Sequence, residues 1–354
     1  MSDAPSVLRI ALLGYGLIGR EHAALVADHA ATELAAIVDI GEEGRQAAAR
    51  FGVPWFSEIA PMLDAVAPDG VIVALPNQLH VAAGLACIER RIPFLVEKPV
   101  ADTAADAFAL AAAAEAAGVA TLVGHHRRHA PDIQAARAAI QRGELGRIVT
   151  VAGLCLVRKH DAYFEVAWRR RQGGGPLLIN AIHDIDCFRF LCGEIDSVQA
   201  IASHAVRGFE VEDTVAMALC FRSGALGTFL LSDVVPSPWF WETASGQALY
   251  FPPQPETAYT IGGTHAALAL PTGVLWHHHD GGDWRSPLLQ SRLPIPDQRC
   301  YVAQLDHFVD LMRGGTASVV DARDGAMTVA TLEAIERAAT TQGPVAVADF
   351  VAAP

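Results

Sequence analysis

One histidine stands among branched aliphatic residues in L-I-N-A-I-H-D-I-D (178–186), just after three consecutive glycines. Polar groups inside an apolar run either satisfy one another or do chemistry. Imidazole, with a free pKa of about 6.5, is the side chain suited to moving protons near neutral pH. His183 is therefore either a satisfied core histidine or an acid/base. Two other stretches bear on the choice. G-Y-G-L-I-G (Gly14, Tyr15, Gly16, Leu17, Ile18, Gly19) fits G-x-G-x-x-G, and V-E-K-P-V places Glu97 and Lys98 before Pro99.

The glycine motif follows a short apolar run, V-L-R-I-A-L-L-G (7–14), and opens a helical pattern over 17–28. In that context Gly14 permits a tight turn, Gly16 a close backbone approach to pyrophosphate, and Gly19 close helix–strand packing. The helix N-terminus supplies amide donors for phosphate. Asp39 ends the second strand-like run, 20 residues past Gly19, where a carboxylate can hold ribose hydroxyls. No arginine directly follows it, Arg45 being the first, so NAD is preferred over NADP. A flavin dinucleotide site and a glycine turn without a ligand are the other readings of the motif.

Strand-like runs at 33–40, 70–76, 93–99 and 120–126 alternate with helical patterns at 43–51, 78–90 and 103–117. That alternation predicts a doubly wound parallel sheet, and the continuous apolar runs suit strands buried on both faces. Lys98 then falls at the carboxyl end of a strand, the edge where such sheets bind ligands. Beyond Pro131 the pattern changes. A helix over 132–142, a strand over 147–157, the glycines and a helix over 177–192 are followed by closely spaced strands with turn residues between them. This predicts a largely antiparallel sheet. Residues 236–300 read as long loops or hairpins, with helices near 299–313 and 322–341. Two domains follow: 1–127, binding a dinucleotide, and 128–354, for substrate binding and oligomerisation, with its last helix able to pack back on the first.

The chain has 354 residues, 52% hydrophobic and 18% charged, with a formal net charge of −13. Such a composition buries a large core and gives little reason for nucleic-acid or anionic-membrane partners. No apolar stretch is long enough to span a bilayer, residues 1–6 lack the regions of a signal peptide, and the scattered cysteines include no C-x-x-C pair. A cytoplasmic protein with reduced thiols is expected. H-H-H-D (277–280) is discounted as a metal site because neighbours on a strand point to opposite faces.

Taken together, G-x-G-x-x-G at the N-terminus, E-K-P at 97–99 and G-G-G…H near 180 resemble the Gfo/Idh/MocA oxidoreductase family over nearly the whole chain. The resemblance implies an N-terminal Rossmann domain and a C-terminal α/β domain with a large open sheet, often the contact of a homodimer or homotetramer. It also implies NAD(P)-dependent hydride transfer on a small sugar, sugar acid, cyclic polyol or dihydrodiol. Carried over by position, Lys98 contacts nicotinamide ribose and the substrate hydroxyl, and His183 is the active-site histidine. Leu75, Pro76, Asn77 and His80, from A-L-P-N-Q-L-H (74–80), lie by the cofactor. His126 replaces an asparagine of the family, and Trp168 and Arg169 match a Trp-Arg pair. Tyr163 is a further substrate-side candidate.

One departure matters. Many members carry an aspartate four residues before the histidine; here that position is Ile179, with Asn180 next. An amide three residues before His183 shares its helix face but is no carboxylate base. Because a hydride leaves a carbinol only as the hydroxyl proton is withdrawn, proton handling falls to His183, with Lys98 polarising the same oxygen. Asp184 and Asp186 read as structural, Asp186 pairing with Arg189. Arg127, Arg128 and Arg169 are open between carboxylate recognition and fold-stabilising ion pairs. An NAD-using glycosidase or lyase of the same fold, and an NAD-binding regulator without turnover, are the alternatives.

Overall fold

The computed structural model describes residues 6–248, 250–279 and 282–351, so Asp280 and the first five residues lie outside it. The chain forms two compact units. One runs up to His126 and takes in 301–329; the other holds 127–300 and 330–350.

In the first unit the elements alternate: β1 (Leu8–Leu13), α1 (Leu17–Asp28), β2 (Thr32–Val38), α2 (Glu42–Phe51), β3 (Trp55–Phe56), α3 (Ile59–Val66), β4 (Gly70–Val73), α4 (His80–Glu89), β5 (Phe94–Val96), α5 (Ala104–Ala117) and β6 (Thr121–Val123). The six strands are parallel in the order β3-β2-β1-β4-β5-β6. Residues of β4, β5 and β6 are buried throughout, as their unbroken apolar runs require. The pair β3–α3 is not visible in the sequence pattern. The strand has two half-exposed residues, and Pro61 in the first turn hides an eight-residue helix. Proline is tolerated there because its missing N–H would have no partner in the first turn.

The second unit begins with α6 (Pro131–Gln141), β7 (Ile148–Leu156), α7 (Ile182–Cys192), β8 (Ile195–Ser203), β9 (Thr214–Phe221), β10 (Leu226–Ser232) and α8 (Trp241–Ser245). Residues 236–300 then form hairpins of β11 (Tyr259–Gly263), β12 (Ala266–Leu270), β13 (Val274–His278) and β14 (Leu288–Arg292), before α9 (Cys300–Met312), α10 (Ala322–Thr341) and β15 (Val345–Ala346). Nine strands make one sheet, β14-β13-β12-β11-β7-β10-β9-β8-β15, in which only the β7–β10 pair is parallel.

Most of α9 and the start of α10 belong to the first unit, where Phe308 and Met312 close over Gly70 and Val320 O accepts from Val123 N. Neither helix covers its apolar face on its own, so the face finds the sheet that offers bare glycine and an unpaired amide.

Helix α7, which carries His183, is fixed to the nine-stranded sheet by Phe188. Its ring meets Phe229 and Tyr259 edge-on, with centroids 5.5 and 5.0 Å apart. Glycine at 153 makes room, since a Cβ there would come within 2.5 Å of Phe188 Cζ. Every residue of α7 except Phe190 is buried. Among the described residues no helix is long and apolar enough to cross a membrane.

Candidate active site

The carboxyl ends of the parallel strands gather the expected cofactor residues of the first unit. Gly14 follows β1, Asp39 follows β2, Leu75, Pro76 and Asn77 follow β4, and Glu97 and Lys98 follow β5. Gly14 has φ +91°, and a side chain there would run into the Ala74 carbonyl; one at Gly19 would run into the Gly14 carbonyl. At Gly16, in contrast, a Cβ would meet nothing within 4 Å. The two outer glycines are thus demanded by the fold and the middle one is left open above α1. That helix has no side-chain cap and no acidic residue in its first turn, so Leu17, Ile18 and Gly19 present uncontested amides. This is the cradle that a pyrophosphate fills, and the residues fit NAD.

Asp39 is held by its neighbours: Oδ2 accepts from Tyr15 N at 2.7 Å and Oδ1 from Gly41 N at 2.6 Å. The first arginine beyond it, Arg45, spends its fork on Glu42 at 2.8 and 2.7 Å. Glu42 and Glu43 open α2, so the surroundings of Asp39 are acidic and unsuited to a 2′-phosphate.

His80 is placed differently from expectation. It is fully buried, with Nδ1 2.7 Å from Pro99 O and Nε2 2.8 Å from Leu75 O. Both ring nitrogens face backbone carbonyls, so the ring ties the Leu75 loop to the Pro99 turn rather than presenting a group to a ligand. Glu97 likewise points inward, to His22 Nε2 at 2.8 Å. His126 is buried and stacks on Tyr301, ring centroids 4.5 Å apart. Sequence reasoning missed His22; its one signal was a histidine three residues past the last motif glycine.

In the second unit the glycine run leads into a π-type turn, Leu177–Ala181, and then α7. Gly175 lies against the Glu212 carboxylate, which accepts from Leu177 N at 2.8 Å. Such turns shift the helical phase and recur at functional sites. Asn180 sits on this turn, and its buried Oδ1 makes no hydrogen bond, so it is not tied to the imidazole. His183 is 8% exposed, one residue into α7.

Arg127 and Arg128 are fold-stabilising. Arg127 Nη1 donates to Asp184 Oδ1 at 2.7 Å and to the Tyr259 hydroxyl at 2.9 Å, while Nη2 reaches Glu242 Oε1 at 2.9 Å. Tyr259 also donates to Asp184. Arg128 grips Asp186 with both Nε and Nη2, at 2.8 and 2.7 Å. Asp186 therefore pairs first with Arg128 and, as expected, also with Arg189, whose Nη1 is 4.0 Å from Oδ1 while its Nε and Nη2 reach Glu194. Both forks are turned to acceptors of the fold. Arg169, Trp168 and Tyr163 remain together: Arg169 Cζ lies 4.0 Å from the Tyr163 ring centroid and 5.5 Å from that of Trp168. Tyr259 and Glu242, partners of Arg127, gave no signal in the sequence because they lie more than 100 residues away.

Comparison with known proteins agrees with this geometry. Residues 8–125 match the family described as oxidoreductase, NAD-binding Rossmann fold, and 133–269 match the GFO/IDH/MocA C-terminal domain. The rhizopine catabolism protein MocA of Rhizobium meliloti is 31% identical over 186 residues, 52% of this chain and 57% of that protein. A 1,5-anhydro-D-fructose reductase of Ensifer adhaerens is 29% identical over 289 residues, 77% of this chain and 78% of it. The WlbA dehydrogenase of Bordetella pertussis, solved with NADH and UDP-GlcNAcA, superposes with a TM-score of 0.77 at 26% identity, covering 96% of this chain and 98% of that one. With both of its domains matched and its nucleotide cradle in place, the chain belongs to the Gfo/Idh/MocA family of NAD-binding oxidoreductases.

Proposed function

We propose that the protein moves a hydride between NAD and the carbinol or carbonyl carbon of a small cyclic polyol, sugar, sugar acid or dihydrodiol. The observation that carries this reading is the carboxyl edge of the first sheet, where the open Gly16 cradle, Asp39 and Lys98 follow the ends of β1, β2 and β5. The names of similar proteins, a sugar reductase and a nucleotide-sugar dehydrogenase, support the substrate class.

NAD, when bound, accepts or supplies the hydride. The chain's residues do the rest. Asp39 holds the adenosine ribose hydroxyls, and the α1 amides hold the phosphates. His183 takes the hydroxyl proton at a ring nitrogen as the carbinol is oxidised and returns it in the reverse direction. Lys98, at the carboxyl end of β5, is assigned to polarise the substrate oxygen. Asn180 Oδ1, buried and without a hydrogen-bond partner, accepts from a substrate hydroxyl. With Ile179 where many relatives carry an aspartate, and an amide beside it that is no carboxylate base, His183 is the principal proton carrier.

The sheet supports a homodimer or homotetramer. The strands β9 and β10 bury alternate residues, and their outward side chains, with Ile201 of β8, leave an apolar face in solvent. The free thiols of all six cysteines suit the cytoplasm. The test is a panel of sugars, polyols, sugar acids and dihydrodiols read by NADH absorbance, with NADP in parallel. Turnover that is lost in His183→Ala is expected; intact turnover in that variant, or activity with NADP alone, contradicts the assignment.

A further inference from the structure

The helix that carries His183 is anchored on both sides of that residue. After it, Asp184 and Asp186 accept from Arg127 and Arg128, and the Phe188 ring packs on Phe229 and Tyr259. Before it, the anchor comes from the loop between β8 and β9. Glu212 Oε1 accepts from Leu177 N at 2.8 Å, a first-turn amide for which Pro176, at the cap position, offers no side-chain acceptor. The carboxylate lies on the glycine run itself, since a Cβ at Gly175 would come within 2.6 Å of Glu212 Cδ and Oε2. Gly175 has no positive φ, so it is this contact that calls for glycine. Gly175 O then accepts from Ile179 N at 3.2 Å, the bond that opens the helix.

Glu212 is held in turn by its neighbours. Asp213 N donates to Ser203 O at 2.8 Å, and Asp213 Oδ2 accepts from Val206 N and Arg207 N at 2.9 and 3.0 Å. Two residues before Glu212, Glu210 Oε1 accepts from Gln172 N at 3.3 Å, so one loop grips the glycine run at both ends. Burial pushes the Glu212 carboxyl up, helped by the charges of Glu336 and Asp233, while the Leu177 amide and its own amide hold it down. A carboxylate aimed at a helix amide also gains from the positive end of the helix.

Between the two anchors lies the π-type turn Leu177–Ala181. Such a turn holds one residue more than an α turn. If it relaxed to α, the residues before it would rotate by about 100° against those after it. Asn180 is on the turn and His183 is past it, in the part of the helix fixed by Asp184, Asp186 and Phe188. We propose that Glu212 is a positioning residue: by holding Leu177 N it keeps the π turn and so sets the rotation of Asn180 against His183. This rests on the oxidoreductase reading above and adds to it a residue that acts through others.

Crystal structures of the NAD-loaded wild type, Glu212→Ala and Glu212→Gln read the turn directly. In Glu212→Ala the turn relaxes to α and Asn180 rotates away, while His183 and Phe188 stay in place. Glu212→Gln keeps an amide oxygen for Leu177 N and keeps the π turn. Gly175→Ala displaces the carboxylate from the other side and reproduces the relaxed turn, which gives the answer if Glu212→Ala does not fold. Turnover supplies a reading that lost stability alone would not move. On the best substrate among sugars, polyols, sugar acids and dihydrodiols, Asn180→Ala and Glu212→Ala each lower kcat/KM by about tenfold, the scale of one hydrogen bond. The double variant loses no more than either alone, and Glu212→Gln recovers most of the loss. A π turn intact in Glu212→Ala, or a loss of about a hundredfold in the double variant, overturns the positioning role. No NADH from the wild type on any of these compounds removes the oxidoreductase reading and leaves the turn in the crystals to judge Glu212. Turnover in the wild type with an unchanged turn in Glu212→Ala removes the positioning role and leaves the oxidoreductase.

Discussion

His22 Nε2 lies 2.8 Å from Glu97 Oε1, and both side chains are almost wholly buried. His22 is on the helix that follows the phosphate loop, and Glu97 immediately precedes Lys98. One hydrogen bond therefore couples the cofactor helix to the turn that presents the lysine. Burial alone would raise the Glu97 carboxyl, but the His22 hydrogen bond and the charges of His22, His126 and Lys98 outweigh it and hold the carboxyl below its usual value of 4.5. A depressed carboxylate stabilises the fold above its unfolded value and loses that contribution as pH falls through the folded value. His22→Leu strands the charge and should cost about 3 kcal/mol or more at pH 7. Urea denaturation at pH 7 and pH 4 checks this: the gap from wild type narrows at the lower pH, and a constant gap would contradict the pairing.

Gly14 and Gly16 separate folding from cofactor binding. At Gly14 a side chain faces both φ +91° and the Ala74 carbonyl, so Gly14→Ala should lower stability by about 2 kcal/mol or more. At Gly16 the space is open, so Gly16→Val should fold normally and lose at least about tenfold in NAD affinity by blocking the pyrophosphate. Thermal unfolding with and without NAD measures both. Equal destabilisation by the two changes would refute the distinction.

The sequence showed most of what is local. Unbroken apolar runs, glycine spacing and Asp39 mark the parallel sheet and its cradle, because each depends on neighbours within one strand–turn–helix step. The same pattern missed α3, where Pro61 breaks the helical texture. It also misjudged side chains whose partners are far along the chain. Arg127 looked available until Glu242 and Tyr259, 115 and 132 residues away, closed on it. His80 looked like a cofactor residue, yet its ring is taken by the Leu75 and Pro99 carbonyls.

Arg127 gives a third prediction. It donates to Asp184, Tyr259 and Glu242 with almost no water contact, and Asp184 is next to His183 on α7. Arg127→Met leaves two buried carboxylates without their cation and should cost about 3–5 kcal/mol. Arg127→Lys should recover only part, since an ammonium cannot reach three acceptors in one plane. Urea midpoints of the two variants are the measure; a loss below about 1 kcal/mol in Arg127→Met, the range of exposed ion pairs, would count against the network.

Asp132, at the start of α6, gives the opposite pH dependence. Burial raises its carboxyl to about 7, against the opposing effects of the Ile133 amide and its own, and of the Arg127 charge. A carboxyl raised in the folded state favours the protonated form, so the unfolded chain gives up its proton first. Stability then falls as pH rises from about 4 to 7, by up to about 4 kcal/mol at 1.4 kcal/mol per pH unit. Asp132→Asn keeps an acceptor for Ile133 N, 2.8 Å from Oδ1, and removes the ionisation. The variant should match wild type at pH 4 and exceed it at pH 8. Urea denaturation at the two pH values reads the difference directly, and a variant less stable than wild type at pH 8 would mean that Asp132 is ionised and paired in the fold.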